Sequence, residues 1–179
     1  MIYSSEHIGI SILQPTDALQ LNKLFVSNTD RFMKYLPKTL GENTTFESTQ
    51  NYIARKIKAA KKKNAFVFVI NDKHSQDIIG MIILKNLDWE TKKGEFAYCI
   101  DKRFKGKGLM SMAIKATSDY VIETMGLETL QIIAHKTNLP SVNVALQSGF
   151  EWIETLEDEF MSMHGTPLDM ELFELKHER

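Results

Sequence analysis

Cysteine is almost absent from this chain: Cys99 is the single one among 179 residues. That excludes an intramolecular disulfide and any cysteine-based zinc cluster. The five histidines, His7, His74, His135, His164 and His177, show no ligand spacing on a shared face, so no metal centre is expected. An excess of one charge is lacking too. Lysine and arginine total 22 against 23 aspartates and glutamates, a formal net charge of -1. The chain as a whole is therefore not built to coat nucleic acid or an anionic membrane. Long hydrophobic runs are missing; the longest, Ile78 to Leu84 with Gly80 inside it, is far too short to span a bilayer. The start, MIYSSEHIGI, has no basic segment followed by a long apolar stretch, so no secretory signal is expected. No repeat, low-complexity tract or flexible linker divides the sequence. These absences point to a cytoplasmic protein. With 43% hydrophobic residues, the length suits one domain over residues 1–179.

What is present reads as an α/β or α+β chain with a mixed sheet. Ile8 to Leu13 predicts a strand stopped by Pro15. Thr16 or Asp17 is placed to cap a helix reaching about Val26, with Leu21, Leu24 and Phe25 on one face. A less regular stretch with Phe32, Met33, Tyr35, Leu36 and Pro37 follows. Thr44 and Glu47 fit a capping box, opening a helix with Tyr52, Ile53, Ile57 and Ala60 on its buried face. Phe66 to Ile70, Ile78 to Leu84 and Glu95 to Ile100 are β-branched or aromatic runs that predict an antiparallel meander. A helix over about Lys107 to Met125 ends at Gly126. Beyond it come a strand over Leu130 to Ala134, a short helix capped by Asn138, and strands over about Phe150 to Thr155 and Met170 to Leu175.

The joint Arg103-Phe104-Lys105-Gly106-Lys107-Gly108-Leu109-Met110 links the third meander strand to the long helix. A P-loop needs four residues between its first glycine and a Gly-Lys-Ser/Thr, which Gly106 and Gly108 do not supply. A dinucleotide fingerprint wants an acidic residue ending the next strand, but His135-Lys136 stands there. What survives is the physics. Two glycines let the main chain approach a ligand, and first-turn amides without intrahelical partners suit a pyrophosphate. Arg103, Lys105 and Lys107 add positive field. On this motif alone, a helix-entry turn with solvated lysines is an equal reading.

Arg103-x-x-Gly106-x-Gly108 resembles the coenzyme A signature of the GNAT acetyltransferases, and most of the chain agrees with it. Asp88-Trp89 followed by Phe96-Ala97-Tyr98-Cys99-Ile100 is similar to the family's "DW…IGYWL", without the aromatic usual at Cys99. Phe104 to Met110 resembles "YQGKGIM". Asn138-Leu139-Pro140-Ser141 with Ser148-Gly149-Phe150 resembles "NxxS…LGF", and Tyr35-Leu36-Pro37 an early "WLP". The ordered set is similar to the branch of RimJ/RimL ribosomal-protein N-terminal acetyltransferases.

The resemblance implies a mostly antiparallel central sheet flanked by about four helices and splayed between two central strands for coenzyme A. It implies acetyl-CoA as co-substrate and direct attack of a primary amine on the thioester. Tyr98, Cys99, Ile100, Arg103, Phe104, Lys105, Gly106, Lys107, Gly108, Leu109, Asn138 and Ser141 are then coenzyme-binding, with a backbone amide near Tyr98 to Ile100 polarising the thioester carbonyl. Cys99, inside an apolar strand, is a structural thiol rather than a nucleophile. Two carboxylates compete as general base: Glu95 at the start of the coenzyme strand, and Glu159, which the acceptor-side segment favours. Each also reads as a solvated charge. The tyrosine that many members use to protonate the departing thiolate is Ala145 here, and Ser141 is the substitute, with a helix-capping hydroxyl as its rival.

Charge is segregated along the chain: Arg55 to Lys63 and Lys102 to Lys107 are cationic, while Glu151 to Glu159 carries five carboxylates. An acidic border would draw a cationic amine toward the acceptor cleft, and Phe32, Tyr35 and Leu36 offer an apolar wall unless they belong to the core. The favoured acceptor is the N-terminal α-amine of a ribosomal protein. A small amine (polyamine, amino sugar or antibiotic) and a non-catalytic acyl-CoA-binding module are the rivals. No membrane and no direct nucleic acid binding are expected, since no aromatic platform accompanies the lysines. A homodimer is compatible with the sequence, which does not reveal the oligomeric state.

Overall fold

The computed structural model of the chain describes residues 1–162 and 165–177; His164 lies outside them. A two-residue strand, β1 (Tyr3–Ser4), pairs antiparallel with β2 (Ile8–Ile12). After a 3-10 turn over Pro15–Asp17 come α1 (Ala18–Ser27), α2 (Thr29–Tyr35) and α3 (Pro37–Gly41). The stretch expected to be irregular is therefore helical. Each short helix sinks one apolar anchor: Phe32 meets Phe25 edge-on at 5.5 Å between centroids, and Leu40 is buried. Asp17 precedes α1 but does not cap it; its carboxylate accepts from the Gln14 N–H at 2.8 Å instead.

The next helix, α4 (Phe46–Lys61), is capped one residue later than the sequence predicts. Thr45 is extended, and its hydroxyl accepts from the Ser48 N–H while Ser48 Oγ accepts from the Thr45 N–H. Ser48 thus takes the place expected for Glu47. A glutamate in the first turn still favours the positive helix end without closing the box.

The meander forms as expected from its β-branched runs: β3 (Phe66–Asp72), β4 (Ile78–Asp88) and β5 (Lys93–Ile100) pair antiparallel in order. A 3-10 turn (Lys102–Phe104) leads into α5 (Leu109–Met125), which ends at a left-handed Gly126. Then follow β6 (Thr129–Ala134), α6 (Leu139–Gln147), β7 (Glu151–Met161) and β8 (Pro167–Lys176). Eight strands lie in the order β1-β2-β3-β4-β5-β6-β8-β7, with β5 and β6 the parallel pair.

Period-two alternation divides the core between the two sheet faces. Phe68, Ile82, Phe96 and Ile132 face α5, with Ala113, Ile114 and Val121, while Val67, Met81, Ile83 and Cys99 face α1 and α4, with Phe25, Tyr52 and Ile53. The decisive feature is at the centre. β5 and β6 pair only from Lys93↔Thr129 to Phe96↔Ile132, although β5 runs on to Ile100 and β6 to Ala134. The expected splay is there.

Candidate active site

The joint after β5 is built from both ends. Asp101 is buried, and its carboxylate accepts from the Arg103 backbone N–H at 2.8 Å and from the guanidinium at 3.0 and 3.1 Å. Burial pushes this carboxyl up, but the Arg103 hydrogen bonds outweigh that and hold it below the ordinary range. Asp101 thus holds Nε and Nη2 of Arg103, while the side chain stays largely exposed. Phe104 lies under two cations, with the Arg103 guanidinium 5.7 Å and Lys107 Nζ 5.1 Å from its ring centre. Lys102, Lys105 and Lys107 are exposed.

Gly106 and Gly108 both have positive φ, +76° and +72°, and a Cβ at either would meet nothing within 4 Å. Glycine is needed here for the turn of the chain, and the space above it is open. The backbone N–H groups of Gly106, Lys107, Gly108, Leu109, Met110 and Ser111 donate to no described group. Amides of this kind at the start of a 17-residue helix are suited to an anion.

The splay supplies the second part. The Asp101 N–H donates to the Ile79 carbonyl at 2.7 Å, so alternation along the β4–β5 ladder aims the Cys99 and Ala97 groups at β4. The main-chain groups of Tyr98 and Ile100 point the other way, into the gap where β6 has turned aside. Arg31 Nη1 donates to the Ile100 carbonyl at 2.8 Å, and Asn28 Oδ1 accepts from the Lys102 N–H at 2.9 Å, so the α1–α2 junction pins the end of β5. Across the gap stands the start of α6. The Asn138 carbonyl accepts from Ser141 and Val142, but the Asn138 side chain makes no capping bond, contrary to expectation. Ser141 Oγ does not cap the helix either; it lies 2.8 Å from Tyr98 Oη, which is also 3.0 Å from the Ser141 carbonyl. Burial pushes the Tyr98 phenol up to about 12.

The profile of the acetyltransferase (GNAT) domain matches residues 8–151, from β2 through the splay to the start of β7. The chain belongs to the GNAT acetyltransferase family. It is an acetyl-CoA-dependent N-acetyltransferase of that type, and the helix-start amides and the gap are chemically suited to a nucleotide diphosphate and an extended thiol arm. "Putative ribosomal N-acetyltransferase YdaF" of Bacillus subtilis (strain 168) is 33% identical over 82% of this chain and 79% of its own. The solved structure of RimL, a ribosomal L7/L12 alpha-N-protein acetyltransferase in complex with coenzyme A, superposes with a TM-score of 0.90. It covers 98% of this chain and 97% of its own at 17% identity, a likeness of fold. The spermidine N(1)-acetyltransferase of Escherichia coli (strain K12) is 28% identical over a shorter reach, 45% of this chain and 44% of its own.

Around this acetyltransferase site the two carboxylates differ sharply. Glu95 is buried on the α1–α4 face, held at 2.8 Å by Lys85 Nζ and at 2.7 Å by Asn86 Nδ2. Glu159 is exposed and has no partner among the described residues; it sits where β7 bulges between Leu156 and Phe160. Of the apolar trio, Phe32 is turned into the core, which removes it as an acceptor wall; Leu36 is half-buried and Tyr35 is exposed. Cys99 is buried, and that burial pushes its thiol up to about 12, the wrong direction for a nucleophile. Sequence reasoning missed the Tyr98 hydroxyl and Arg31. Their partners lie 43 and 69 residues away, so no local spacing announces them.

Proposed function

We propose that this acetyltransferase modifies the N-terminal α-amine of a protein, of ribosomal-protein type, acting as one domain in the cytoplasm. The observation that carries this reading is the extent of the ribosomal relative, 82% of the chain against 45% for the spermidine enzyme. In this reading the amides of Gly106 to Ser111 hold the coenzyme diphosphate with Lys105 and Lys107 beside it. Phe104 and Leu109 flank that grip, and the Asn138 side chain completes it across the gap. The coenzyme's arm lies along β5 and pairs with the main chain of Tyr98 and the Ile100 N–H, beside Cys99. An amide there polarises the thioester carbonyl, a contribution of about 3–4 kcal/mol where such donors have been removed. Ser141 faces the sulfur.

A free α-amine has a pKa of about 8, so a carboxylate acting through a water suffices to strip its proton. We assign that role to Glu159 over Glu95, because Glu159 is unpaired while Glu95 is neutralised by Lys85. The carboxylates of Glu151, Glu154, Glu157 and Asp158 add a field that attracts a cationic N-terminus. Tyr35 and Leu36 remain as the apolar lining for the first side chain.

The test is an acceptor screen read by mass spectrometry. Peptides with free and blocked N-termini compete against spermidine and an amino sugar. Acetylation of the free α-amine alone is the expected result; preference for spermidine, or labelling of blocked peptides, overturns it.

A further inference from the structure

Tyr98 reaches from β5 across the gap to the first turn of α6, and its hydroxyl is the sole side-chain partner of Ser141 among the described residues. Three oxygens meet there: the phenol, the Ser141 hydroxyl and the Ser141 carbonyl. They share two protons, and the carbonyl only accepts. With the phenol donating to the carbonyl, the serine proton turns to the phenol oxygen and nothing is offered outward. With the phenol donating to Ser141 Oγ, the serine proton is free for a third acceptor. Rotation of two O–H bonds exchanges these states without moving a heavy atom. Ala145, one turn further along α6, is buried and carries no hydroxyl, so the second donor comes from the strand.

We propose that Tyr98 is a positioning residue: its hydroxyl orients Ser141 toward the leaving sulfur, forming a two-hydroxyl chain that stabilises the thiolate. The inference rests on the reading of Ser141 given under the proposed function. In the balanced step the amine nitrogen bonds to the acetyl carbon, the carbon–sulfur bond breaks with its electron pair leaving on sulfur, and the proton lost by nitrogen ends on sulfur by way of solvent. The phenol keeps its own proton. A group held at about 12 does not surrender it to a thiolate whose conjugate acid ionises near about 8.5. The chain acts by hydrogen bonding while the negative charge lasts.

Two readouts test this. Ultraviolet titration of thiolate absorbance follows the ionisation of coenzyme A bound to the protein, and needs no acceptor amine. Bound to the parent protein, the thiol is expected to ionise at lower pH than free coenzyme. Ser141→Ala should abolish that difference, Tyr98→Phe should remove part of it, and the double variant should match Ser141→Ala alone. In turnover with the best acceptor, Tyr98→Phe should lower kcat about tenfold, less than the 10²–10³ typical of a direct donor. The KM for acetyl-CoA should stay within about twofold, and the loss should vanish in the Ser141→Ala background. Ser141→Thr, which keeps the hydroxyl, should titrate like the parent. This pair stands in if Tyr98→Phe unfolds: Ser141→Thr behaving as Ser141→Ala would then overturn the chain.

An unchanged titration and kcat in Tyr98→Phe, or losses that simply add, would equally overturn it. If no peptide is acetylated but the thiol titration behaves as described, the acceptor reading fails and the hydroxyl chain stands.

Discussion

Substituting alanine for Gly108 strikes the proposed diphosphate site at a point where the structure isolates one effect. A Cβ there meets nothing within 4 Å, so no clash contributes, and φ of +72° is what alanine resists. The left-handed region costs an L-residue about 1–2 kcal/mol. If the free protein keeps the loop as described, that strain appears as lost stability, a fall in melting temperature of about 2–8 °C for a chain of this size. If the free loop relaxes instead, stability is spared and the same energy is lost from binding, weakening coenzyme A by about 5- to 30-fold. Either way the coenzyme-saturated protein is destabilised, because bound-state strain enters the linkage whichever free state precedes it. Calorimetric titration together with thermal melts at saturating coenzyme A measures both routes. Gly108→Ala protein that binds with parental affinity and melts at the parental temperature would refute the assignment of this turn.

Cys99, with its thiol pushed up to about 12, stays protonated at pH 8 and should resist iodoacetamide until the protein is denatured. If the amine attacks the thioester directly, with no acyl-enzyme, Cys99→Ala should keep kcat within about threefold; a burst of thiol release lost in that variant would contradict direct attack. Glu159→Gln should lower kcat/KM by about 10²-fold with an unchanged melting point. Glu95→Gln should destabilise by about 1–2 kcal/mol, between an exposed and a buried pair, and lower kcat/KM far less. The reverse pattern in parallel melts and steady-state assays would move the base to Glu95.

The meander was legible because Phe66 to Ile100 concentrates β-branched and aromatic residues between short polar turns, a signal that needs no tertiary information. The glycine joint was legible for the same reason: φ restrictions are local. Where two neighbours are chemically equivalent, local signals slip. Thr44 and Thr45 both qualify as caps, and the reciprocal bonds between Thr45 and Ser48 close the box at the second of them. The helices α2 and α3 escaped notice because five to seven residues are too few to show a 3.6-residue period. Glu95 looked like a candidate base from its place on β5; its commitment to Lys85 follows from hairpin register, and register depends on a turn the sequence leaves open. The partner of Arg103, Asp101 two residues earlier, went unread because an i, i+2 pair carries no pattern of its own.

The outermost strand has a bearing on how a polypeptide is received. β7 is exposed along nearly its whole length, interrupted by two irregularities, and studded with carboxylates. Such a border refuses lateral zippering, since its free amides and carbonyls are out of step and its side chains repel company of like sign. On the proposed reading, a protein client would find no ladder to join on that flank. It would then be taken by its tip rather than along its length, with recognition confined to the first few residues and the rest of the client unread.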